Sequence, residues 1–176
     1  MAETFAFDVY GTLVNPHAVV GSLEKLVGDK AGRLSQTWRD KQLEYSFRRA
    51  LMGAYRDFSI VTRDALNYAC AALEVTIADP DKAALLAQYR TLDAFPDTAP
   101  ALAALAAQGH KMHAFSNGLP DHLASLLAHA GIENLLGETI SVHDVPSFKP
   151  DPTVYVHFNE VTGSAPGETW LVSSNP

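Results

Sequence analysis

Residues 5–14 read Phe5-Ala6-Phe7-Asp8-Val9-Tyr10-Gly11-Thr12-Leu13-Val14, an apolar run that ends in a carboxylate and a glycine turn. The run over 5–9 is typical of a short buried strand, and Gly11 allows the chain to turn sharply just beyond Asp8. In an open α/β sheet, ligands bind at the carboxyl ends of the strands. A carboxylate held there can attack an electrophilic carbon or phosphorus and form a covalent intermediate. The alternative is an aspartate that only caps a tight turn.

The overall composition is that of an ordinary globular protein. With 176 residues, of which 47% are hydrophobic and 19% charged, the chain can form one domain or a domain with a smaller insertion. The formal net charge of -7, without any Lys/Arg block, argues against nucleic acid and an anionic membrane as partners. The single Cys70 excludes an internal disulfide and a cysteine-based metal cluster. The sequence has no export signal and no apolar stretch of about 20 residues, so we expect a soluble, cytoplasmic protein.

The segment 15–93 is predicted to be almost entirely helical. Asn15-Pro16 starts a first helix that Gly28 ends, and a longer helix is expected from about 35 to 54. Thr62 is expected to cap a third helix, and Asp79-Pro80 to open a fourth. A crossover between parallel strands needs only about a dozen residues. We therefore predict a helical cap domain over 15–93, inserted into a core domain of residues 1–14 and 94–176. The apolar stripe of the longer helix is Leu34, Trp38, Leu43, Phe47, Ala50 and Leu51.

Beyond residue 94, short helices and strands alternate. Helices are predicted over 98–107, 121–130 and 152–161, and strands over 111–115, 138–142 and 169–172. This alternation is typical of a doubly wound, Rossmann-like parallel sheet. The predicted fold class is therefore α/β, with an inserted all-helical cap.

Small polar residues follow three of the predicted strands: Asp8 with Thr12, Ser116 with Asn117, and Ser173 with Ser174 and Asn175. Parallel strands bring these ends to one edge of the sheet. The segment 147–152 adds Lys149. Taken singly, each has a simpler role, since Asn117-Gly118 is a turn signal, Lys149 a solvated loop charge and Ser173 a helix cap. Together they supply a nucleophile, hydroxyl and amide donors, and one cation.

These motifs resemble, in order, those of the haloacid dehalogenase superfamily: Asp8-Val9-Tyr10-Gly11-Thr12, Ser116-Asn117-Gly118 and Phe148-Lys149-Pro150. Across essentially the whole chain, the sequence is more narrowly similar to the L-2-haloacid dehalogenases, through residues 7–13, residues 38–45, Tyr155 and Ser173-Ser174-Asn175. The phosphatases of the superfamily carry a second aspartate two residues after the nucleophile, which protonates the leaving alcohol in a motif that helps hold Mg²⁺. Tyr10 stands there instead. A departing halide needs no proton, so this position favours dehalogenation.

The resemblance implies a role for each matching residue. Asp8 would displace halide from the α-carbon of an L-2-haloacid with inversion and carry the resulting ester. Arg39, with Asn117, would receive the halide, because a guanidinium is always cationic. The backbone at Val9 and Tyr10, with Ser116 and Asn117, would hold the substrate carboxylate, and Lys149 would hold Asp8 ionised. The implied polar shell is Thr12, Tyr155, Ser173 and Asn175. The implied apolar wall is Tyr10, Leu43 and Phe58, with an ordinary core position as an equal alternative for Leu43 and Phe58.

The family's pattern after Ser173-Ser174-Asn175 continues with an aromatic residue and an aspartate that helps activate the hydrolytic water, whereas this sequence ends at Pro176. We therefore expect either a fragment of a longer protein or a C-terminally truncated form, with strand 169–172 as an exposed edge. In a truncated form halide displacement can survive while ester hydrolysis fails.

The sequence thus predicts hydrolysis of short L-2-haloalkanoic acids to D-2-hydroxy acids and halide, with no metal and no organic cofactor. The resemblance also implies a homodimer. Three alternatives stay open: an Mg²⁺-dependent phosphomonoesterase on the same fold, a phospho-accepting signalling module built on Asp8 and Lys149, and an inactive fragment.

Overall fold

A parallel four-stranded sheet forms the centre of the part of the chain that the structure describes. The structure is a computed structural model and describes residues 2–175. The strands are β1 (Thr4–Phe7), β2 (Lys111–Ser116), β3 (Thr139–Ser141) and β4 (Thr169–Val172), in the order β3-β2-β1-β4. Phe7 lies opposite Ala114 on one side and Val172 on the other. This register brings the residues that follow β1, β2 and β4 to one edge of the sheet.

Three helices pack on this sheet: α5 (Thr98–Ala107), α6 (Pro120–His129) and α7 (Pro152–Thr162). Their bounds agree with the predicted ones to within a residue, and the doubly wound α/β fold is confirmed. Phe115 of β2 and Phe158 of α7 are fully or almost fully buried, with ring centroids 5.1 Å apart. Within residues 2–175, β4 is an edge strand as predicted, and Trp170 is 55% exposed there.

The segment between β1 and α5 is helical. It contains a 3-10 turn (Pro16–Val19) and the helices α1 (Val20–Val27), α2 (Ala31–Leu51), α3 (Phe58–Ala72) and α4 (Asp79–Gln88). The chain leaves the sheet and returns to it at adjacent points, because Asn15 N donates to Asp93 O and Phe95 N donates to Leu13 O. These two crossings match the expected boundaries at 14 and 94. The division into a core domain and a cap domain stays a prediction.

Two expectations for this segment are wrong. Thr62 does not cap α3; the helix begins at Phe58, because Asp57 Oδ1 accepts hydrogen bonds from the backbone N–H groups of Ser59 and Ile60. Helix α2 begins at Ala31, four residues earlier than predicted, because a 3-10 turn over Gly28–Lys30 leads directly into it.

The buried face of α2 also differs from the predicted stripe. Leu51 is 88% exposed. It lies nine residues beyond buried Gln42, or about 2.5 turns at 3.6 residues per turn, so it faces the opposite way. The buried positions of α2 are Ala31, Leu34, Ser35, Trp38, Arg39, Gln42 and Ser46.

No helix within residues 2–175 has both the length and the apolar character needed to cross a membrane.

Candidate active site

A small cavity lies at the carboxyl edge of the sheet, between the strand ends and helix α2. Its volume is about 190 Å³. The strand ends contribute polar groups, and α2 contributes a cation and apolar side chains. The cavity is lined by Asp8, Tyr10, Arg39, Leu43, Phe47, Phe58, Ser116, Asn117, Lys149, Pro150, Tyr155, Leu171, Ser173 and Asn175. Asp8 is the one carboxylate among these residues.

The two carboxylate oxygens of Asp8 are in different environments. Oδ1 accepts hydrogen bonds from Lys149 Nζ at 2.8 Å and from the backbone N–H of Val9 at 2.9 Å. Oδ2 has a single long contact, from Ser173 Oγ at 3.4 Å. The Asp8 backbone N–H donates to Val172 O at 2.9 Å, which holds the residue at the end of β1. Oδ2 is therefore the oxygen with lone pairs available to the cavity.

Lys149 is held by residues at the carboxyl ends of β1 and β2. Its Nζ donates to Asp8 Oδ1 and to Phe115 O, both at 2.8 Å, and its backbone N–H donates to Asn117 Oδ1 at 3.0 Å. The Lys149 and Asp8 side chains are each 12% exposed. Burial lowers the pKa of Lys149, and the neighbouring charge and hydrogen bond of Asp8 oppose that shift. A buried ion pair thus orients the carboxylate.

Asn117 and Ser116 present donors from the end of β2. Because Asn117 Oδ1 accepts from Lys149 N, the Nδ2 amide of Asn117 is left to donate toward the cavity. Ser116 Oγ accepts from the backbone N–H of Gly118 at 3.1 Å, so its own hydroxyl proton is free to donate. Both residues are buried and line the cavity. Such donors suit a carboxylate or a halide.

Arg39 approaches the strand ends from α2. Its Nη2 donates to Tyr10 O at 2.5 Å, and its Nη1 donates to Gln42 Oε1 at 2.7 Å. The residue is only 8% exposed. Burial lowers the pKa of Arg39, and the charges of Tyr89 and Asp8 oppose that shift; a guanidinium still stays cationic at any ordinary pH. A positive charge therefore lines the same cavity as the Asp8 carboxylate.

The turn after β1 depends on the glycine at position 11. Gly11 has φ of 96°, a conformation that L side chains rarely adopt. A Cβ added at Gly11 would lie 3.0 Å from Ser174 Oγ and 3.5 Å from Arg39 Nη2. The glycine thus serves the turn, and a side chain there would crowd Ser174 Oγ but not the guanidinium.

Aromatic and aliphatic side chains close the remaining sides of the cavity. The rings of Tyr10 and Phe58 lie 5.7 Å apart, and Leu43 and Phe47 follow each other one turn apart on α2. Burial raises the pKa of Tyr10, so its hydroxyl stays neutral. The cavity therefore combines an apolar wall with donors at the strand ends.

Comparison with known proteins agrees with this geometry. Residues 2–176 match the family model described as a haloacid dehalogenase-like hydrolase. The chain belongs to the haloacid dehalogenase-like hydrolases. It is 42% identical to the (S)-2-haloacid dehalogenase of Xanthobacter autotrophicus, over 99% of this chain and 68% of that one, and 36% identical to haloacetate dehalogenase H-2 of a Moraxella species, over 99% and 78%.

The solved structures of L-2-haloacid dehalogenases share the fold. The Xanthobacter autotrophicus enzyme with chloropropionic acid covalently bound superimposes with a TM-score of 0.91 at 40% identity, covering 99% of this chain and 70% of that one. The predicted resemblance to the haloacid dehalogenase superfamily and to its L-2-haloacid dehalogenases is confirmed.

Most of the site residues predicted from the family motifs meet in the cavity. Asp8, Tyr10, Arg39, Leu43, Phe58, Ser116, Asn117, Lys149, Tyr155, Ser173 and Asn175 all line it. Thr12 does not line it; its hydroxyl accepts from Ser174 N at 2.9 Å and so joins the first turn to the loop after β4. The Val9 amide, expected to face the substrate carboxylate, donates to Asp8 Oδ1 instead.

Four residues at this site were not among the predicted site residues. Phe47, Pro150 and Leu171 line the cavity, and Gln42 bonds Arg39 from within the helix. Phe47 stands four residues after Leu43, and Gln42 three after Arg39, spacings that place each pair on one face of a helix. Pro150 adjoins Lys149. Leu171 had no comparable signal, because a strand position alone does not tell which side chain faces a cavity.

Among residues 2–175, the structure contains no group of three or more His, Cys, Asp or Glu side chains arranged to hold a metal ion.

Proposed function

We propose that this protein hydrolyses the carbon–halogen bond of short L-2-haloalkanoic acids, giving D-2-hydroxy acids. The observation that carries the proposal is that two groups line one small cavity: the Asp8 carboxylate, aimed by Lys149, and the Arg39 guanidinium, bonded only to neutral acceptors among residues 2–175. A nucleophile and a cation for the leaving anion in the same cavity suit displacement at carbon.

In the first step, Asp8 Oδ2 attacks the α-carbon opposite the halogen. A carbon–oxygen bond forms, the carbon–halogen bond breaks, and halide leaves with the electron pair toward Arg39 and the Nδ2 amide of Asn117. The attack inverts the α-carbon and leaves an ester on Asp8. Lys149 and the Val9 amide hold Oδ1 during this step and so keep the carboxylate aimed.

In the second step, water attacks the Cγ carbonyl carbon of the Asp8 ester. The acyl–oxygen bond breaks, the hydroxy acid leaves with its inverted centre intact, and Asp8 is regenerated as a carboxylate. The whole reaction consumes one water and releases one halide and one proton. In that step the donors on Oδ1 stabilise the negative charge that develops on the ester carbonyl oxygen.

The carboxylate and the alkyl group of the substrate contact different sides of the cavity. Its carboxylate accepts from the Ser116 hydroxyl, and its alkyl group lies against Tyr10, Leu43 and Phe58. Tyr155, Ser173 and Asn175 complete the polar side. A cavity of about 190 Å³ favours short acids over long chains. Several relatives are named as haloacid or haloacetate dehalogenases, which supports this substrate class.

The decisive experiment counts halide ions released per chain from L-2-chloropropionate, with the D enantiomer and the Asp8→Asn variant as controls and a chelator present. Many halides per chain from the L enantiomer alone support both steps. One halide per chain, with the lactyl ester found on the Asp8 peptide by mass spectrometry, supports the first step and contradicts turnover.

Two results contradict the proposal outright. One is the absence of halide release from either enantiomer. The other is Mg²⁺-dependent release of phosphate from p-nitrophenyl phosphate that Asp8→Asn abolishes, which favours the phosphomonoesterase alternative on the same nucleophile.

We also propose that residues 15–93 act as a cap over the core and that the protein works as a homodimer in the cytoplasm. Two crossing points at Asn15 and Phe95 support the cap. Leu51 and Met52, 88% and 67% exposed, offer apolar surface for a second copy. Sedimentation equilibrium of the wild type and of Leu51→Gln tests the dimer; a monomeric wild type contradicts it.

A further inference from the structure

The Arg39 guanidinium is held only by neutral groups. Within residues 2–175, its hydrogen bonds go to the Tyr10 carbonyl and the Gln42 side-chain amide, and no carboxylate forms a salt bridge with it. Neutral acceptors orient a guanidinium without cancelling its charge. Arg39 therefore keeps a full positive charge for an anion in the cavity.

Gln42 is itself held in one orientation. It is fully buried, and its Nε2 donates to Thr62 Oγ1 at 2.7 Å. The single proton of the Thr62 hydroxyl is donated to Phe58 O, also at 2.7 Å, so this oxygen can only accept from Gln42. The amide of Gln42 therefore cannot flip, and its Oε1 must point at Arg39. A chain of hydrogen bonds thus runs from the backbone of α3 to the guanidinium on α2.

We infer that Gln42, oriented by Thr62, is a positioning residue that aims the Arg39 guanidinium at the departing halide and leaves its charge unpaired. The inference rests on the proposed function for the identity of the anion. A carboxylate at position 42 would accept the same hydrogen bond and would also pair with Arg39, so it would weaken the guanidinium's hold on halide. The amide therefore contributes its lack of charge as well as its orientation.

Four variants separate these effects. Gln42→Glu keeps an acceptor for Arg39 and adds a charge, and Gln42→Leu removes the acceptor. Thr62→Val removes only the group that orients Gln42. Ser46→Ala is the matched control, because Ser46 is equally buried on the same helix but donates to Leu43 O, away from Arg39.

The first measurement is bromide affinity, from bromide NMR line broadening, which needs no turnover. We expect Gln42→Glu and Gln42→Leu to weaken bromide binding about 10-fold or more, Thr62→Val to weaken it less, and Ser46→Ala to leave it unchanged. Arg39→Met gives the reference value for the absence of bromide binding at this site. The inference is overturned if Gln42→Glu binds bromide like the wild type, if Ser46→Ala loses as much as Gln42→Leu, or if wild-type binding is absent or survives Arg39→Met.

The second measurement is single-turnover halide release from L-2-chloropropionate and its iodo analogue. A misaimed guanidinium should slow release of chloride by about 100-fold, and release of iodide, the better leaving group, by less. The substrate concentration that gives half of the maximal single-turnover rate should change little. A chloride-to-iodide rate ratio that does not fall in either Gln42 variant contradicts the inference. If the wild type binds bromide but releases no chloride, the proposed function fails, and the bromide series still decides the role of Gln42.

Discussion

Replacement of Lys149 by Met tests the ion pair that aims the nucleophile. The change removes the Nζ bonds to Asp8 Oδ1 and to Phe115 O, both 2.8 Å long, and keeps an unbranched apolar stem of similar length. Both partners of the pair are 12% exposed, so water repairs little of the loss. Removing one partner of a buried pair costs about 3 to 5 kcal/mol.

The lower end of that range applies here, because Asp8 keeps the Val9 amide and Ser173 as donors. We expect the free energy of unfolding to fall by about 3 kcal/mol, which corresponds to a drop of about 6 to 12 °C in Tm for a chain of this size. The first step should suffer as well. Without the cation, the carboxylate loses its aim, and single-turnover release of chloride should slow by about 100-fold or more.

Thermal unfolding and single-turnover chloride release measure the two effects. Lys111→Met is the matched control, since Lys111 is exposed at the start of β2, and it should change neither quantity appreciably. Lys149→Ala with added propylammonium separates charge from packing, because a soluble cation that enters the vacated space should restore part of the rate. Chloride release by Lys149→Met within about fivefold of the wild type would refute the reasoning.

Three further predictions concern the titration of Lys149, the turn at Gly11 and the buried ring of Trp38. Burial lowers the pKa of Lys149 below its ordinary 10.5, and deprotonation at higher pH removes the cation from Asp8; the pH profile of kcat/KM should therefore decline on the alkaline side with an apparent pKa below 10.5. An alkaline decline with an apparent pKa at or above 10.5 would contradict its assignment to Lys149. Gly11→Ala, at φ of 96°, should lower the free energy of unfolding by about 1 to 3 kcal/mol in urea titration; an unchanged midpoint would contradict the strain. Trp38→Phe loses the indole bond to Thr62 O at 2.8 Å and part of a fully buried ring, so about 2 kcal/mol of stability should be lost in the same assay, and a loss below about 0.5 kcal/mol would contradict the role of that bond.

Several elements could be predicted from the sequence because their signals are local. A capping Asn15, a glycine at 28 and the alternation beyond residue 94 each depend on near neighbours, and the strands and helices appeared there within a few residues. The prediction that Thr62 caps α3 was wrong because it also used only a local signal. A threonine before an apolar run resembles a cap, but Asp57 supplied a better acceptor five residues earlier.

The nucleophile and its cation could also be predicted from the sequence, because the family motifs contain them in order. Asp8, Arg39 and Lys149 were expected together and line one cavity. Spacing alone gave no reason to join residue 8 to residue 149. A 2.8 Å ion pair between them requires the parallel pairing of β3 with β2 and of β2 with β1, which is a property of the assembled sheet.

The surroundings of Arg39 were decided by the tertiary structure. From its sequence, α2 shows that Arg39 and Gln42 share a helix face, but not that this face is buried or what lies against it. Two other segments supply the hydrogen-bond partners. The Tyr10 carbonyl of the first turn accepts from Arg39, and Thr62, whose own proton is donated to Phe58 O, accepts from Gln42. Local propensity determined the helices and the position of the carboxylate along the chain. The direction in which a buried polar group points was determined by donors and acceptors from distant segments, because a buried group must find its partners wherever the fold brings them.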